Sequence, residues 1–525
     1  MALSSRAQHL GPSTQPCGRL SDASPVCRAT KAIQPVTLER AQLNGFTRWA
    51  IDRGITFSGL RPDSPDGQSR GLYATAPIQP GSRVISVPKS AALSLAGADA
   101  DGVPWWGAMA KQILSLPQSF SPYQQLLPSA VDLPVLWSAE EVKELQCPFI
   151  VAKVAAEQLQ WAQVTTQLQP WLAAQGRSPA DLHRAMALAR SRSFEAPRFN
   201  VPMAAKAGVG LVTELGLLLL ALTRPEQPLE LWLLLAALGL LPAAGLAAWD
   251  LQQARSQVQF VVAPFLDLLN HSSTVATEVS YDWVREAFIV TSSHTYQPGQ
   301  QVFINYGELS NDALLQQYGF VEPENPHDRY MLMGLGSQLL RGPLAQALGS
   351  TEALTAAVEG EAARGEMQEV VVTRKGVSTE VRQALARLLS LTQQTGPNAR
   401  HFTPLTVDGV LAAALSDELR GLGTDVTADE AELAAIDMPA AVAALEPDAG
   451  LLERGSLGVS LDEADEAVER TEDGPPSRPA EADEVTGDAV GMAALARRRT
   501  WLQYRIAKKR LLMCVISDLK QNCTM

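Results

Sequence analysis

The alternation of apolar and polar residues divides this chain into helical and extended stretches. Leu38 to Arg53 places Leu43, Phe46, Trp49 and Ala50 at helical spacing and predicts a short amphipathic helix. The turn-rich run Pro62-Asp63-Ser64-Pro65-Asp66-Gly67 follows. Gly71 to Thr75 and Arg83 to Pro88 then alternate as two strands around the turn Gln79-Pro80-Gly81. Helical periodicity holds from about 105 to 190, with Ser138 placed to cap Ala139-Glu140-Glu141. From Gln259 to Tyr306 the chain is β-rich: Phe260-Val261-Val262, Phe288-Ile289-Val290 and Gln301-Val302-Phe303-Ile304 are its apolar runs, the last entered through Pro298-Gly299. Beyond about Leu339 the pattern is again helical. It is broken by an acidic, apolar-poor segment at about 461–490 that predicts disorder, and a basic amphipathic helix at about 493–519 closes the chain. No internal repeat is evident.

Two strongly apolar runs, Gly208 to Leu222 and Leu229 to Trp249, stand outside this scheme, separated by Arg224-Pro225-Glu226-Gln227-Pro228. The second has the length of a membrane span, but Glu230, Pro242 and, in the first run, Glu214 interrupt the pair. Two readings stay open: a buried or interfacial helical hairpin inserted in a soluble domain, and a hairpin that associates with a membrane.

Composition narrows the picture. A chain of 525 residues admits two to four domains, and 46% hydrophobic against 19% charged residues suits a folded protein. The net charge of −13 argues against nucleic acid as a partner, because no basic excess is available for phosphates. Cys17, Cys27, Cys147, Cys514 and Cys523 form no CxxC or CxC pair, so neither a zinc cluster nor a disulfide framework is indicated, and no metal is expected. Residues 1–35 read as a leader. Arg6, Arg19, Arg28 and Lys31 meet one acid, Asp22, within the first 31 residues, among many Ser, Ala, Thr and Pro. That is the profile of an organelle transit peptide, leaning to the plastid; an unstructured cytosolic N-terminus is the other reading.

Candidate chemistry gathers in three places. The first is Gln68-Ser69-Arg70-Gly71-Leu72, where the glycine permits close backbone approach to a ligand. In the second, Asp267, Asn270, His271 and Ser272 crowd the end of an apolar run and need hydrogen-bond partners if buried. In the third, the strand Gln301–Ile304 ends in Asn305-Tyr306-Gly307, and Ser310 or Asn311 caps a short helix running to Tyr318-Gly319-Phe320. Asp267, His271 and Ser272 lack the GxSxG elbow of a hydrolase.

Together these segments resemble the SET domain in its N-terminal, NHS and YG motifs, and more narrowly the Rubisco large-subunit methyltransferase-like family. Leu126-Leu127-Pro128, Trp137-Ser138-Ala139-Glu140-Glu141 and Leu145-Gln146 look like that family's helical insert, and Arg190-Ser191-Arg192-Ser193-Phe194 like its RSR-x-F segment. The resemblance is strong over about Phe46 to Met331. It implies an α+β fold: a SET β-fold with a threaded pseudoknot and a helical insert over 36–331, followed by an all-α substrate-binding domain over 332–525. It implies an S-adenosylmethionine-dependent protein-lysine methyltransferase, expected to be a monomer, acting on a plastid protein such as Rubisco large subunit or fructose-bisphosphate aldolase. Carried over by position, the backbone of Gln68, Ser69, Arg70, Gly71 and Leu72, with Asn270, His271 and Tyr306, would hold the cofactor, and Tyr306 would also be the catalytic tyrosine. Arg192, Asp267, Tyr281, Tyr318 and Phe320 would line the substrate side, the last two as channel walls.

Two departures stand out: the apolar insert at 208–249 replaces a short loop, and Gln68 replaces an acidic contact. A SET-derived scaffold without turnover and a histidine methyltransferase remain the alternatives, and the cytoplasm is the alternative to the chloroplast stroma.

Methyl transfer from a sulfonium to an amine is an in-line displacement that needs a neutral amine, close approach and little water. A lysine of pKa about 10.4 is almost wholly charged at neutral pH, and an apolar aromatic channel disfavours that charge.

Overall fold

The predicted elements form where the periodicity placed them. The computed structural model describes residues 40–64, 70–95, 102–197, 216, 258–282, 284–341, 355–356, 358–360, 368–395, 406–445 and 487–524. The leader at 1–35, Gln68, Ser69, the apolar insert apart from 216, and the acidic segment up to 486 lie outside the described residues. Among the described residues, no helix is long and apolar enough to cross a membrane.

In chain order the named elements are α1 (Arg40–Asp52), β1 (Thr56–Phe57), β2 (Leu60–Asp63), β3 (Gly71–Ala74), β4 (Arg83–Pro88), β5 (Leu93–Leu95), α2 (Trp105–Leu114), α3 (Ser121–Leu126), α4 (Ala139–Lys143), α5 (Pro148–Ala174) and α6 (Pro179–Arg192). Then come β6 (Phe194–Pro197), β7 (Val258–Val262), β8 (Asn270–His271), β9 (Val279–Asp282), β10 (Ala287–Thr291), β11 (Gln301–Ile304), α7 (Asn311–Tyr318), β12 (Arg329–Met333) and α8 (Leu335–Arg341). The C-terminal part adds β13 (Glu369–Thr373), β14 (Gly376–Val377), α9 (Thr379–Thr395), α10 (Val407–Gly421), α11 (Val426–Leu445) and α12 (Gly487–Thr524). The Ser138 cap forms as a reciprocal capping box with Glu141.

Three small sheets, in the orders β1-β4-β10-β9, β2-β3-β11-β8 and β5-β7-β6, surround one core. Among the described residues, pairing in these sheets is antiparallel except between β8 and β11, where Phe303 pairs with Asn270 and Ile304 with His271 in parallel. β11 switches partners along its length, since Gln301 and Val302 pair antiparallel with Tyr73 and Leu72 of β3. All three sequence motifs therefore meet on one four-residue strand.

The C-terminal region is helical, as the resemblance implies, but not wholly so. Its β13–β14 ribbon pairs with β12, because Val370 and Val372 alternate into a core that β12 also faces. That second core joins Trp137, Ile150 and Val154 of the helical insert to Leu385, Leu411, Tyr504 and Leu512.

The cations of α12 behave differently from a solvated basic face. Lys508 and Lys509 are buried. Lys508 Nζ donates to Asp312 (2.7 Å), Asp328 (2.8 Å) and the Arg329 carbonyl (2.6 Å), while Lys509 donates to Asp429 (2.5 Å) and Thr424 (2.7 Å). Burial alone would lower the Lys508 pKa; the two carboxylates reverse this and raise it. Removing one partner of such a buried pair leaves an uncompensated charge. Lys508→Met is expected to cost about 3–5 kcal/mol, read from the midpoint of urea unfolding. A loss under about 1 kcal/mol, the range of exposed ion pairs, would show that the cluster contributes little.

Candidate active site

The parallel crossing of β8 and β11 builds the site. Asn270 and His271 are buried at the crossing. The Asn270 side-chain amide donates to the Arg70 carbonyl at 2.9 Å, joining the second motif to the first. The backbone N–H of Tyr306 donates to His271 Nδ1 at 3.0 Å, joining the second to the third. Since Nδ1 accepts that bond, the ring proton sits on Nε2, which lies 3.6 Å from Glu322 Oε2. Glu322 Oε1 also accepts the Ser273 amide at 3.0 Å. Burial would raise the Glu322 pKa, but its contacts with His271 and Ser273 outweigh burial and hold it below the usual 4.5.

Tyr306 stands at the end of β11 with its ring 5.0 Å from His271 and 4.7 Å from Tyr318. Its hydroxyl donates to the Leu269 carbonyl at 2.7 Å. Burial pushes the phenol pKa far above its ordinary value. Tyr318 is pushed up to about 12, by burial first and then by Glu195. Both phenols are therefore hydrogen-bonding groups at neutral pH rather than bases.

Both tyrosines line a cleft of about 730 Å³. Arg192, Asp267, Tyr281, Phe194, Phe288 and Trp105 also face it. Phe288 meets Phe194 and Tyr281 edge-on, at 5.3 and 5.1 Å between ring centres. Arg192 and Asp267 form a buried ion pair of 2.7 Å, and Arg192 also donates to the Asp267 carbonyl at 3.2 Å. The Tyr123 hydroxyl donates to the same Asp267 Oδ2 at 2.8 Å. The segment that carries Asp267 turns at Phe265, whose φ of +76° is rare for a residue with a side chain. Stacking of its buried ring on Phe57, at 4.2 Å, holds that conformation. The turn sets both the Asp267 carboxylate and the Leu269 carbonyl.

Most of the expected residues thus converge. Gln68 and Ser69 lie outside the described residues. Leu72 is fully buried in β3, so its side chain serves the core and only its backbone is near the motif junction. Phe320 is not a wall of the cleft: it packs behind it, 6.1 Å from His271 and 6.2 Å from Tyr318, because Gly319 turns the chain inward at φ +76°. A Cβ at Gly319 would meet the Asp132 carbonyl at 2.1 Å, so only glycine fits there. Sequence reasoning missed Tyr123, Glu322 and Phe288. Tyr123 and Phe288 carry ordinary core patterns, and Glu322 lies beyond the YG motif in an acidic-looking loop, so no local signal marks them.

The SET domain family matches residues 69–307. Mouse SET domain-containing protein 4 is 41% identical over 66 residues, which are 13% of this chain and 15% of that protein. The Protein-lysine N-methyltransferase EFM1 of Saccharomyces cerevisiae is 32% identical over 80 residues, 15% of this chain and 14% of that protein. The similarity therefore spans about one seventh of either relative. The solved structure of Rubisco LSMT bound to sinefungin and monomethyllysine is 16% identical, covers 92% of both chains and superposes with a TM-score of 0.50, a likeness of fold.

The Glu322 contacts give the site a testable acid limb. A carboxyl held below its unfolded pKa adds stability that is present above about pH 4.5 and lost as the pH falls further. Glu322→Gln is expected to be less stable than the parent at pH 7, with the gap narrowing as urea midpoints are followed from pH 5 down to 3. A gap that stays constant with pH would contradict the ionised Glu322 contact.

Proposed function

We propose that this chain is an S-adenosylmethionine-dependent protein-lysine N-methyltransferase. The observation that carries the reading is the Tyr306 hydroxyl, buried at the junction of the three motifs and aimed at a backbone carbonyl on the wall of an aromatic cleft. The residues present fit the cofactor. A Cβ at Gly71 would lie 2.1 Å from Gln301 Nε2 and 3.3 Å from Asn270 Nδ2, so only glycine lets these two side-chain amides pack onto the backbone at the motif junction. Gln301 Nε2 is itself a buried donor without a partner, as a cradle for a polar ligand requires. Gly71, Asn270, His271 and the backbone of Arg70 would hold the cofactor there. When bound, it supplies an electrophilic methyl group on a sulfonium.

The chain's own residues then do three things. Tyr306 donates a hydrogen bond to the Leu269 carbonyl, and its oxygen can accept an N–H from an incoming amine. That bond turns the nitrogen lone pair away from the tyrosine and orients it for in-line attack. Tyr318, Tyr281, Phe194 and Phe288 line the approach with rings, which disfavour an ammonium and lower the lysine pKa. Tyr318 and Tyr306 remain protonated well beyond neutral pH, so the amine loses its proton to solvent rather than to a tyrosine.

The Rubisco LSMT structure holds sinefungin and monomethyllysine, and EFM1 is named a protein-lysine methyltransferase; both support the same chemistry here. The basic, hydroxylated leader supports a plastid location. With the resemblance to the Rubisco large-subunit methyltransferase-like family, it favours a stromal protein such as Rubisco large subunit or fructose-bisphosphate aldolase as substrate. The test is methyl transfer from labelled S-adenosylmethionine into a plastid extract, with the modified residue located by mass spectrometry. Lysine labelling on a stromal protein supports the reading; labelling of histidine alone, or of nothing, overturns it.

Tyr306→Phe is expected to lower kcat by roughly 100-fold or more, in the range of losing one preorganised hydrogen-bonding group, with cofactor affinity nearly unchanged. Activity within twofold of the parent would remove Tyr306 from the mechanism. Because the tyrosines titrate only at high pH, kcat/KM is expected to climb with pH up to about 9 as free lysine deprotonates. A plateau reached near pH 7 would point to a base in the cleft.

A further inference from the structure

One part of the cleft wall carries two stacked rings and a carboxylate that the transfer step does not use. Trp105 and Phe260 lie face to face, with 3.9 Å between ring centres and 8° between planes. Both are half-buried and line the cleft. Glu195 is the direct cross-strand partner of Phe260 in the antiparallel pair of β6 and β7. Directly opposed residues project from the same face of a sheet, so the carboxylate stands beside the ring stack. Glu195 is exposed, lines the same cleft, and makes no side-chain hydrogen bond or ion pair among the described residues.

The cations of this wall are already occupied. Arg192 is paired with Asp267. Arg190 is paired with Glu157, whose second oxygen accepts from Gln316 Nε2 at 2.8 Å. Glu278 also lines the cleft, but it lies just before β9, outside that strand's ladder. The rings and Glu195 together therefore suit a cation brought in from outside. A ring face attracts a cation, tryptophan most strongly. A guanidinium both stacks flat on a ring and meets a carboxylate side by side, which an ammonium does not.

We propose that Trp105, Phe260 and Glu195 form a subsite for an arginine that flanks the acceptor lysine in the methylated segment. The proposal rests on the lysine-methyltransferase reading and adds the sequence preference of the same cleft. These three residues hold the segment and take no part in the transfer. Glu195 also acts on the Tyr318 hydroxyl, whose pKa it helps to raise, so the subsite adjoins the lysine channel and one extended segment reaches both. The net charge of −13 favours the approach of a basic segment.

The test uses the full chain with S-adenosylhomocysteine present. The probes are short, fluorescent, alanine-rich peptides with one central lysine and either arginine or citrulline, its uncharged isostere, at a position within about three residues of the lysine. By fluorescence anisotropy the arginine peptide is expected to show a Kd roughly 5- to 20-fold lower at its best position, the scale of a cation–π contact joined to a part-exposed ion pair. Glu195→Gln is expected to bring that ratio to about twofold or less while the citrulline peptide binds as before, and Glu195→Lys to reverse it. In methyl transfer from labelled S-adenosylmethionine, Glu195→Gln is expected to raise KM for the arginine peptide and leave kcat unchanged, a split that misfolding would not give. Glu195 is exposed, so this variant is expected to fold. Equal binding of both peptides by the parent at every position, binding of neither, or a preference that survives Glu195→Gln overturns the proposal. Peptides that bind with the arginine preference but accept no methyl group remove the methyltransferase reading instead and leave the cation subsite standing.

Discussion

The parallel pairing of Asn270-His271 with Phe303-Ile304 is the contact on which the site depends. A two-residue parallel ladder is weak by itself, so it has to be secured by side chains and by neighbours. The bond from the Tyr306 amide to His271 Nδ1 and the bond from the Ser272 amide to the Ile304 carbonyl, both 3.0 Å, close the two ends of the crossing. On its other flank the same strand is held by β3. The asparagine and histidine are thereby fixed where polar groups would otherwise be buried without partners, a condition the interior does not tolerate cheaply. Site geometry and fold integrity are in this sense one problem: the bonds that satisfy the buried polar groups also set the position of Tyr306.

Charge burial follows the same logic at two distances from the cleft. Around Asp267, the Arg192 and Tyr123 bonds converge on one oxygen, and the strained Phe265 turn presents that carboxylate. Backbone strain of this kind costs of order 1–3 kcal/mol and persists where packing over-determines it; here the stack of Phe265 on Phe57 does so. Farther out, Lys508 on α12 grips Asp312 of α7 and Asp328. Asn311 beside it bonds Asp328 at 3.1 Å, the Glu322 carbonyl at 3.0 Å and, through its own oxygen, the Glu322 amide at 3.1 Å. The C-terminal helix thus reaches the histidine side of the site through three consecutive buried polar contacts. Such ion pairs add little net stability compared with apolar packing. They do fix one arrangement, since every alternative leaves a charge uncompensated.

The aromatic cleft wall divides into surface and support. Tyr318, Tyr281, Phe194 and Phe288 face the opening, while Phe320 sits behind. Gly319 decides the matter: its left-handed conformation and its close approach to the Asp132 carbonyl turn the chain, so that one aromatic faces the cleft and the next faces inward. Asp132 is in turn held by Trp137 and by Arg497 of α12, both at 2.9 Å. The helical insert and the C-terminal helix meet on the turn that shapes the channel.

Much of this was legible in the chain itself. Periodicity placed α1, β3, β4, β10, β11 and α7 close to where they lie, and the Ser138 cap formed as read, because these features are set by interactions within a few residues. Polar crowding at the end of an apolar run singled out Asp267, Asn270 and His271, and the resemblance to the SET motifs supplied Arg70, Gly71, Tyr306 and Tyr318. What sequence could not supply was the partner. That Asn270 bonds the carbonyl of Arg70, that Glu322 rather than a nearer acid faces His271, and that Tyr123 shares Asp267 are contacts between residues 51 to 200 positions apart, and no local pattern encodes them. The burial of Lys508 and Lys509 is the clearest case. Read along the chain they are part of a basic amphipathic helix; only the packing of α12 against α7 and α11 buries them and gives each lysine a carboxylate. Local propensity settles which elements form, and the requirement that buried charges and amides be satisfied settles how they meet.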